Sequence, residues 1–291
     1  ECEIAKKDLI EKRKNLTEVR GGGFKDCKIG GDETKGNNKK SIEFLRKKGI
    51  AKASKKMSRT ASEGLALVKE TEGQISLIEI NSETDVVAKN KDFINFCKEI
   101  SEINFTKQGD LNKINESKMS NGLLVKENLV NLIAKIGEKI TIRRTNFFDN
   151  SNGVNFSYVH SAIEKGIGKI ISVVKLDGIS KEKNEEIGNK IAMHIAASNP
   201  LAIDKESVDK EIVDKELEII KAEVTNSGKT DEMAEKISKG KILKFLNDNS
   251  LLNQIWIMDP KKKVSEILSE NSFEKEIKVL DFIRYKVGEG V

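Results

Sequence analysis

Two histidines, three cysteines, two prolines and one tryptophan are all that 291 residues contain of four informative residue types. Only His160 and His194 could act as bases near neutral pH, and neither lies beside a GxSxG run or inside HExxH, so catalysis by a histidine base has little support. Cys2, Cys27 and Cys97 are odd in number and widely spaced, with no CxxC pair. That spacing argues against a disulfide framework and a zinc site, and it points to a reducing compartment. No apolar run approaches the roughly 18 residues of a membrane span, and the charged first residues lack the apolar stretch of a signal peptide. The expectation is a soluble, cytoplasmic chain. No GxxxxGK[ST] is present: the nearest run, Gly166-Ile167-Gly168-Lys169, has Ile163 in place of the first glycine and Ile170 where a hydroxyl should meet magnesium. Gly21 to Gly23 precede no strand-to-helix turn of the dinucleotide-binding kind. No bound nucleotide, metal or other cofactor is expected.

What the chain does have is charge. Lys and Arg number 52 and Asp and Glu 47, leaving +5, so attraction to a polyanion must come from local patches. With 34% charged and 37% hydrophobic residues, the composition favours helices with one buried stripe over a single large core, and an elongated, helix-heavy molecule. The length suggests two or three units.

The first 60 residues read as short helices: Ala5 to Glu18, a weak segment from Phe24 to Glu33, and Lys39 to Lys48 ended by Gly49. Gly30 and Gly31 weaken the second by about 1 kcal/mol each relative to Ala. Arg46 to Arg59 carries seven Lys or Arg and no acid. It is either a solvated connecting face or a phosphate-contacting patch.

From Leu65 the apolar period changes to two, and Thr71-Glu72-Gly73-Gln74 supplies a turn before alternation resumes through Ile80, which predicts a β-hairpin. Helical patterns follow at Ala88 to Ile103 and Leu123 to Gly137, then a strand from Lys139 to Phe147. A second unit begins alike: Asn155 to His160, a turn at Lys165 to Gly168, a strand from Ile170 to Leu176 and a helix from Lys181 to Ala197. Val213, Leu217, Ile220 and Val224 form one helical stripe, Asn226-Ser227-Gly228 breaks it, and Met233, Ala234 and Ile237 begin another, predicting a helical hairpin. Phe282 to Val287 is strand-like and is expected to rejoin the second sheet. His194, among Ile191, Ala192, Ile195 and Ala196, is either a hydrogen-bonded structural histidine or a partner contact.

Asn81-Ser-Glu-Thr-Asp-Val-Val-Ala-Lys-Asn-Lys-Asp-Phe-Ile-Asn-Phe-Cys97 closely resembles the signature of the elongation factor Ts family. The resemblance extends, in the family's order, over Phe44-Leu-Arg-Lys-Lys-Gly-Ile-Ala-Lys-Ala-Ser-Lys-Lys56, Met193-His-Ile-Ala-Ala-Ser-Asn-Pro-Leu201, Ala234-Glu-Lys-Ile237 and Phe282-Ile-Arg-Tyr-Lys-Val-Gly-Glu-Gly290. It implies an α+β fold: a ubiquitin-associated-like (UBA-like) three-helix domain, two related α+β subdomains with antiparallel sheets, and an inserted antiparallel coiled-coil hairpin. The resulting boundaries are 1–60 for the N-terminal domain and basic linker, 61–150 for the first core subdomain, 151–206 for the start of the second, 207–250 for the hairpin and 251–291 for a module returning to the second subdomain.

The implied partner is elongation factor Tu, a GTPase, and the implied role is to speed GDP release from it without catalysing a reaction. Magnesium supplies much of such a site's hold on the phosphates. The loop matching Thr84, Asp85, Val86 and Val87 is the family's element that intrudes near that ion, with Asp85 acidic and Val86 standing where the family has a phenylalanine wedge. Losing the ring removes about 0.8 kcal/mol of insertion per buried CH₂. The alternative for Val86 and Val87 is that both are plain core residues at a helix entrance. Phe24 and Lys25 stand at the two methionine places of an N-terminal partner contact, and His194 is a further candidate. The competing function is an RNA- or ribosome-binding protein using residues 46–59, although that segment has no aromatic side chain for bases to stack on.

Overall fold

The computed structural model describes residues 10–12, 14 and 24–291; the side chain of Phe24 and the expected helix at Ala5 to Glu18 lie largely outside them. Two antiparallel sheets organise the chain. β1 (Glu63–Thr71) and β2 (Gln74–Ser82) form the expected hairpin, with Glu72 and Gly73 both at positive φ, 53° and 78°, as a two-residue turn that follows strand twist requires. β3 (Thr141–Phe148) pairs with the far side of β2. The second sheet has β6 (Ile170–Asp177) between β4 (Val154–His160) and β7 (Lys278–Lys286), so the C-terminal strand does return to it.

Side-chain alternation on these strands explains the layers. Leu65, Leu67, Ile78 and Ile80 face a helical layer, while Ala66, Ile75 and Leu77 face Ile171, Val173 and Tyr285 of the second sheet. Val174 and Leu176 point to the opposite side of β6, onto Ile191 and Ile195. The sheets therefore stack face to face with helices outside both. β2 and β6 are buried on two faces, which is why they read as near-continuous apolar runs. The large apolar clusters all lean on the sheets, each of which buries a face against helices.

Helices α1 (Phe24–Glu33) and α2 (Asn38–Ser54) precede the first sheet. α2 does not stop at Gly49, as expected from glycine's propensity: Gly49 is buried against Val130 and Ala134 of α6 (Val125–Ile136), and tertiary packing carries the helix five residues further. After β2 come α3 (Asp85–Ala88), α4 (Lys91–Thr106) and α5 (Leu111–Asn115). The helix expected from Ala88 to Ile103 begins instead at Lys91, where Asn90 caps α4 by accepting from the amides of Asp92 and Phe93, and Ala88 ends the separate turn α3. α5, too short to show a period, escaped sequence reading. The turn expected at residues 165–168 also carries the two-residue strand β5 (Ile167–Gly168), which pairs with β1 and ties the second half to the first sheet.

α7 (Lys181–Ser198) covers the second sheet. α8 (Lys210–Asn226) and α9 (Asp231–Asn249) follow, joined by a short turn with Gly228 at φ 66°, and bridged by Lys241 to Glu223 at 2.6 Å. Ile220 and Val224 are buried as the stripe requires, but Met233 is exposed and Ser238 takes the buried place on α9. α10 (Val264–Glu270) packs Val264, Ile267 and Leu268 into the second core.

Candidate functional site

β2 leaves the sheet at Ser82 and the chain turns through Glu83 and Thr84 into the single turn of α3. Thr84 occupies the N-cap position, with φ −122° and ψ 157°, but its hydroxyl does not cap the helix. The Thr84 Oγ1 and amide instead donate to the two carboxylate oxygens of Glu138 at 2.8 and 3.0 Å. The Ser82 hydroxyl donates to the Thr84 carbonyl at 3.0 Å. Glu83 accepts from the Lys139 amide at 2.6 Å and from Arg59 at 3.4 Å, and Lys139 Nζ donates to the Arg59 carbonyl at 2.8 Å. The tip is braced by β2 behind it, by the segment after α6 beside it and by Arg59 from the end of the basic stretch.

Within this tip the two adjacent valines part company. Val87 and Ala88 are buried in the helical-layer core, while Val86 is 72% exposed. A helix turns about 100° per residue, so Val86 can point outward while the next residue turns into the core. The reading of both valines as core residues holds for Val87 and fails for Val86. Asp85 is exposed and ion-paired with Lys89 at 2.8 Å. Its hydrogen bond from Lys89, helped by that charge, holds the carboxyl below the usual carboxylate range, so Asp85 is anionic at neutral pH. The structure therefore presents Thr84, Asp85 and Val86 to solvent and withdraws Val87.

The other candidates are not gathered around this tip by any contact. Lys25 is exposed in the first turn of α1. His194 has no exposed surface: its Nε2 is 2.9 Å from Gln254 Oε1, its ring stacks on Trp256 at 5.3 Å, and its Nδ1 accepts from the Ile257 amide at 3.4 Å. Burial depresses its pKa and the Gln254 contact only partly opposes this. Its burial and these contacts give His194 the setting of the structural histidine among the two alternatives. The groups that sequence reasoning missed are Glu138, Glu83, Lys139 and Arg59. The one available signal was Gly137, whose φ of 89° ends α6 and turns Glu138 toward the tip.

Four of the seven cations of residues 46–59 are ion-paired within the fold. Lys47 pairs with Glu43, Lys48 and Lys52 with Asp26, and Arg59 with Glu83. Among the described residues no group of three or more His, Cys, Asp or Glu side chains could hold a metal, and no helix is long and apolar enough to cross a membrane.

A family model described as Elongation factor TS matches residues 83–289, starting at the tip itself. Elongation factor Ts of Rickettsia prowazekii (strain Madrid E) is 41% identical over 283 residues, 96% of this chain and 91% of the relative. This chain belongs to the elongation factor Ts family. Elongation factor Ts of Rickettsia typhi (strain ATCC VR-144 / Wilmington) is 40% identical over 282 residues, again 96% of this chain and 91% of the relative, and that of Rickettsia felis (strain ATCC VR-1525 / URRWXCal2) is 38% identical at the same coverage. The α+β architecture of antiparallel sheets and helices agrees with membership in the elongation factor Ts family.

Proposed function

We propose that this chain is a guanine nucleotide exchange factor for elongation factor Tu in translation elongation, a cytoplasmic partner protein with no chemical reaction of its own. The observation that carries the reading is the braced tip, where an anionic Asp85 and an exposed Val86 stand together on an exposed turn held from three sides. An anion brought beside a magnesium–phosphate site competes for the metal and repels the phosphates, and an apolar side chain beside it can displace a partner residue. Thr84 shapes the turn through Glu138, and Val87 anchors it from the core. Lys25, with Phe24 before it, is read as a second contact on the N-terminal unit.

The domain reading follows the same family logic. Residues 1–60 form a UBA-like unit with the basic linker, 61–150 and 151–206 the two core subdomains, 207–250 a coiled-coil hairpin and 251–291 a module that returns to the second sheet. Nucleotide belongs to the partner, so the isolated chain binds no GDP. Linkage then requires that GDP weaken the complex between the two proteins by the factor through which the complex weakens GDP. Stopped-flow release of fluorescent GDP from bacterial elongation factor Tu tests the proposal. Release should accelerate with added protein, and an unchanged rate at saturating concentration would overturn it. The RNA-binding alternative is the weaker reading, because residues 46–59 offer no aromatic side chain for bases to stack on and four of their seven cations are engaged in ion pairs.

A further inference from the structure

Glu79 is the one Asp, Glu, Lys or Arg with a fully buried side chain among the described residues. It sits mid-way along β2 on the face that carries Ile75 and Leu77 toward the second sheet. Four groups converge on its carboxylate. Oε1 accepts from Arg143 Nη1 at 3.2 Å, from Asn81 Nδ2 at 2.9 Å and from the amide of Gly288 at 2.9 Å, while Oε2 accepts from Arg144 Nε. Consecutive strand residues ordinarily point to opposite faces, so two adjacent arginines should not reach one carboxylate. The pairing of β2 with β3 shifts register here, passing from Glu79 opposite Arg144 to Ile80 opposite Ile142. Arg143 is the extra residue, and this bulge turns both guanidinium groups to the same side.

The same arginines hold the chain that follows β7. Arg144 stacks over the Tyr285 ring at 4.3 Å and donates to the Lys286 carbonyl at 3.2 Å, and Arg143 donates to the Glu289 carbonyl at 2.6 Å. Arg284 ties Glu289 in turn, at 2.9 Å, and reaches the Ala196 carbonyl of α7, also at 2.9 Å. At Gly288 the backbone has φ 79°, and a Cβ would meet the Ser62 carbonyl oxygen at 2.0 Å, so only glycine lets the tail lie this close to the first sheet.

We infer that Glu79 is a positioning residue: it clamps the segment after β7 against the strand that runs directly into the Asp85–Val86 tip, so that tip and second sheet meet a partner as one unit. The inference rests on the exchange-factor reading above. Binding energy gained by one surface can drive a disturbance at another only if the body between them does not yield, and a loose joint would let each surface bind without the strain that the other needs. The clamp should therefore matter more for the maximal rate of GDP release than for affinity.

The test uses the full chain with Glu79→Gln, which keeps size and one acceptor but removes the charge, Glu79→Asp, which keeps the charge, and Gly288→Ala, which dislodges the tail without entering β2. Fluorescent GDP release is titrated with each variant, and amide hydrogen exchange is followed in the free proteins. The expected result for Glu79→Gln and Gly288→Ala is a maximal rate lower by about tenfold, with half-saturation moved by less than about threefold, and partial recovery in Glu79→Asp. Protection should fall together at residues 285–289 and 82–86. Should Glu79→Gln fail to fold, Gly288→Ala decides alone. A folded Gly288→Ala protein with the wild-type maximal rate, or with an exposed tail beside an unchanged tip, would overturn the inference. If the wild-type chain itself does not accelerate release, the exchange-factor reading fails, and the hydrogen-exchange arm still decides whether the clamp joins tail to tip.

Discussion

Glu138→Ala removes the one side chain that holds Thr84 by two hydrogen bonds, at 2.8 and 3.0 Å, without touching Asp85 or Val86. Hydrogen bonds to a charged group are worth about 1.5–3 kcal/mol when sheltered, but these lie at an exposed turn, and screening reduces them to about 0.5–1 kcal/mol each. The loss of about 1–2 kcal/mol falls on the local opening of the tip, because Val87, Ala88 and the rest of the core keep their contacts. An opening equilibrium shifted by that amount raises amide exchange at Asp85 and Val86 by about fivefold to thirtyfold. Global unfolding should move by no more than about 2–4 °C. A tip that must be ordered while GDP leaves has to recover the lost order at that moment, so release at sub-saturating protein should slow by about threefold to tenfold. Thr84→Val keeps the amide bond and removes the hydroxyl, and should give about half the free-energy effect. Hydrogen exchange by mass spectrometry, paired with GDP release, reads both quantities. If Glu138→Ala opens the tip as expected yet exchanges nucleotide at the wild-type rate, a braced tip is not what the reaction uses.

Asp85→Ala should slow GDP release by about tenfold, with unchanged far-ultraviolet circular dichroism; full activity would move the mechanism away from this tip. Val86→Phe should speed release where the partner pocket is open, measured on both the native and a heterologous partner, and equal rates on both would show that side-chain length at this place is not limiting. Burial alone would raise the Glu79 pKa, but the Gly288 amide, Asn81 and Arg144 outweigh it and hold it below the usual carboxylate range. The carboxylate's stabilisation is therefore complete above about pH 4.5 and lost as pH falls through the lower folded value, so acid should weaken wild type more than Glu79→Gln, and parallel acid titrations would contradict this. His194→Ala should cost about 2–4 kcal/mol in urea unfolding, by leaving Gln254 Oε1 without its partner and a void against Trp256, while the folded variant still exchanges nucleotide.

The β1–β2 hairpin was legible because everything that makes it is local: alternation on both strands, and a Glu72-Gly73 turn that only positive φ satisfies. The division between α3 and α4 was not, since the apolar period runs through it and the deciding event is the capping by Asn90. Gly49 misled for the opposite reason, because its propensity is weak beside the packing of α2 on α6. His194 offered two readings that local sequence could not separate. What separates them is Gln254 and Trp256, some sixty residues later and on the other side of the α8–α9 hairpin. The register shift that aims Arg143 and Arg144 at Glu79 has no signature at all in a run of Thr, Ile and Arg.

The tip shows most sharply how a contiguous motif depends on distant chemistry. Val86 and Val87 are the same residue in the same one-turn helix, and which one faces solvent is fixed by how that helix is rotated on the core. The rotation is set by Val87 and Ala88 packing among Phe93 and Ile100 on one side, and by Thr84 bound to Glu138 on the other. A single exposed valine is ordinary on a protein surface and by itself argues for nothing. An exposed turn usually remains mobile, however, because water can satisfy its backbone as well as the protein does. Here Ser82, Glu83 and Thr84 are all engaged, with partners reaching in from residues 59, 138 and 139. Fold stability does not require an exposed acid–valine pair to be held in one orientation, whereas a surface that must meet a preformed site in another protein does.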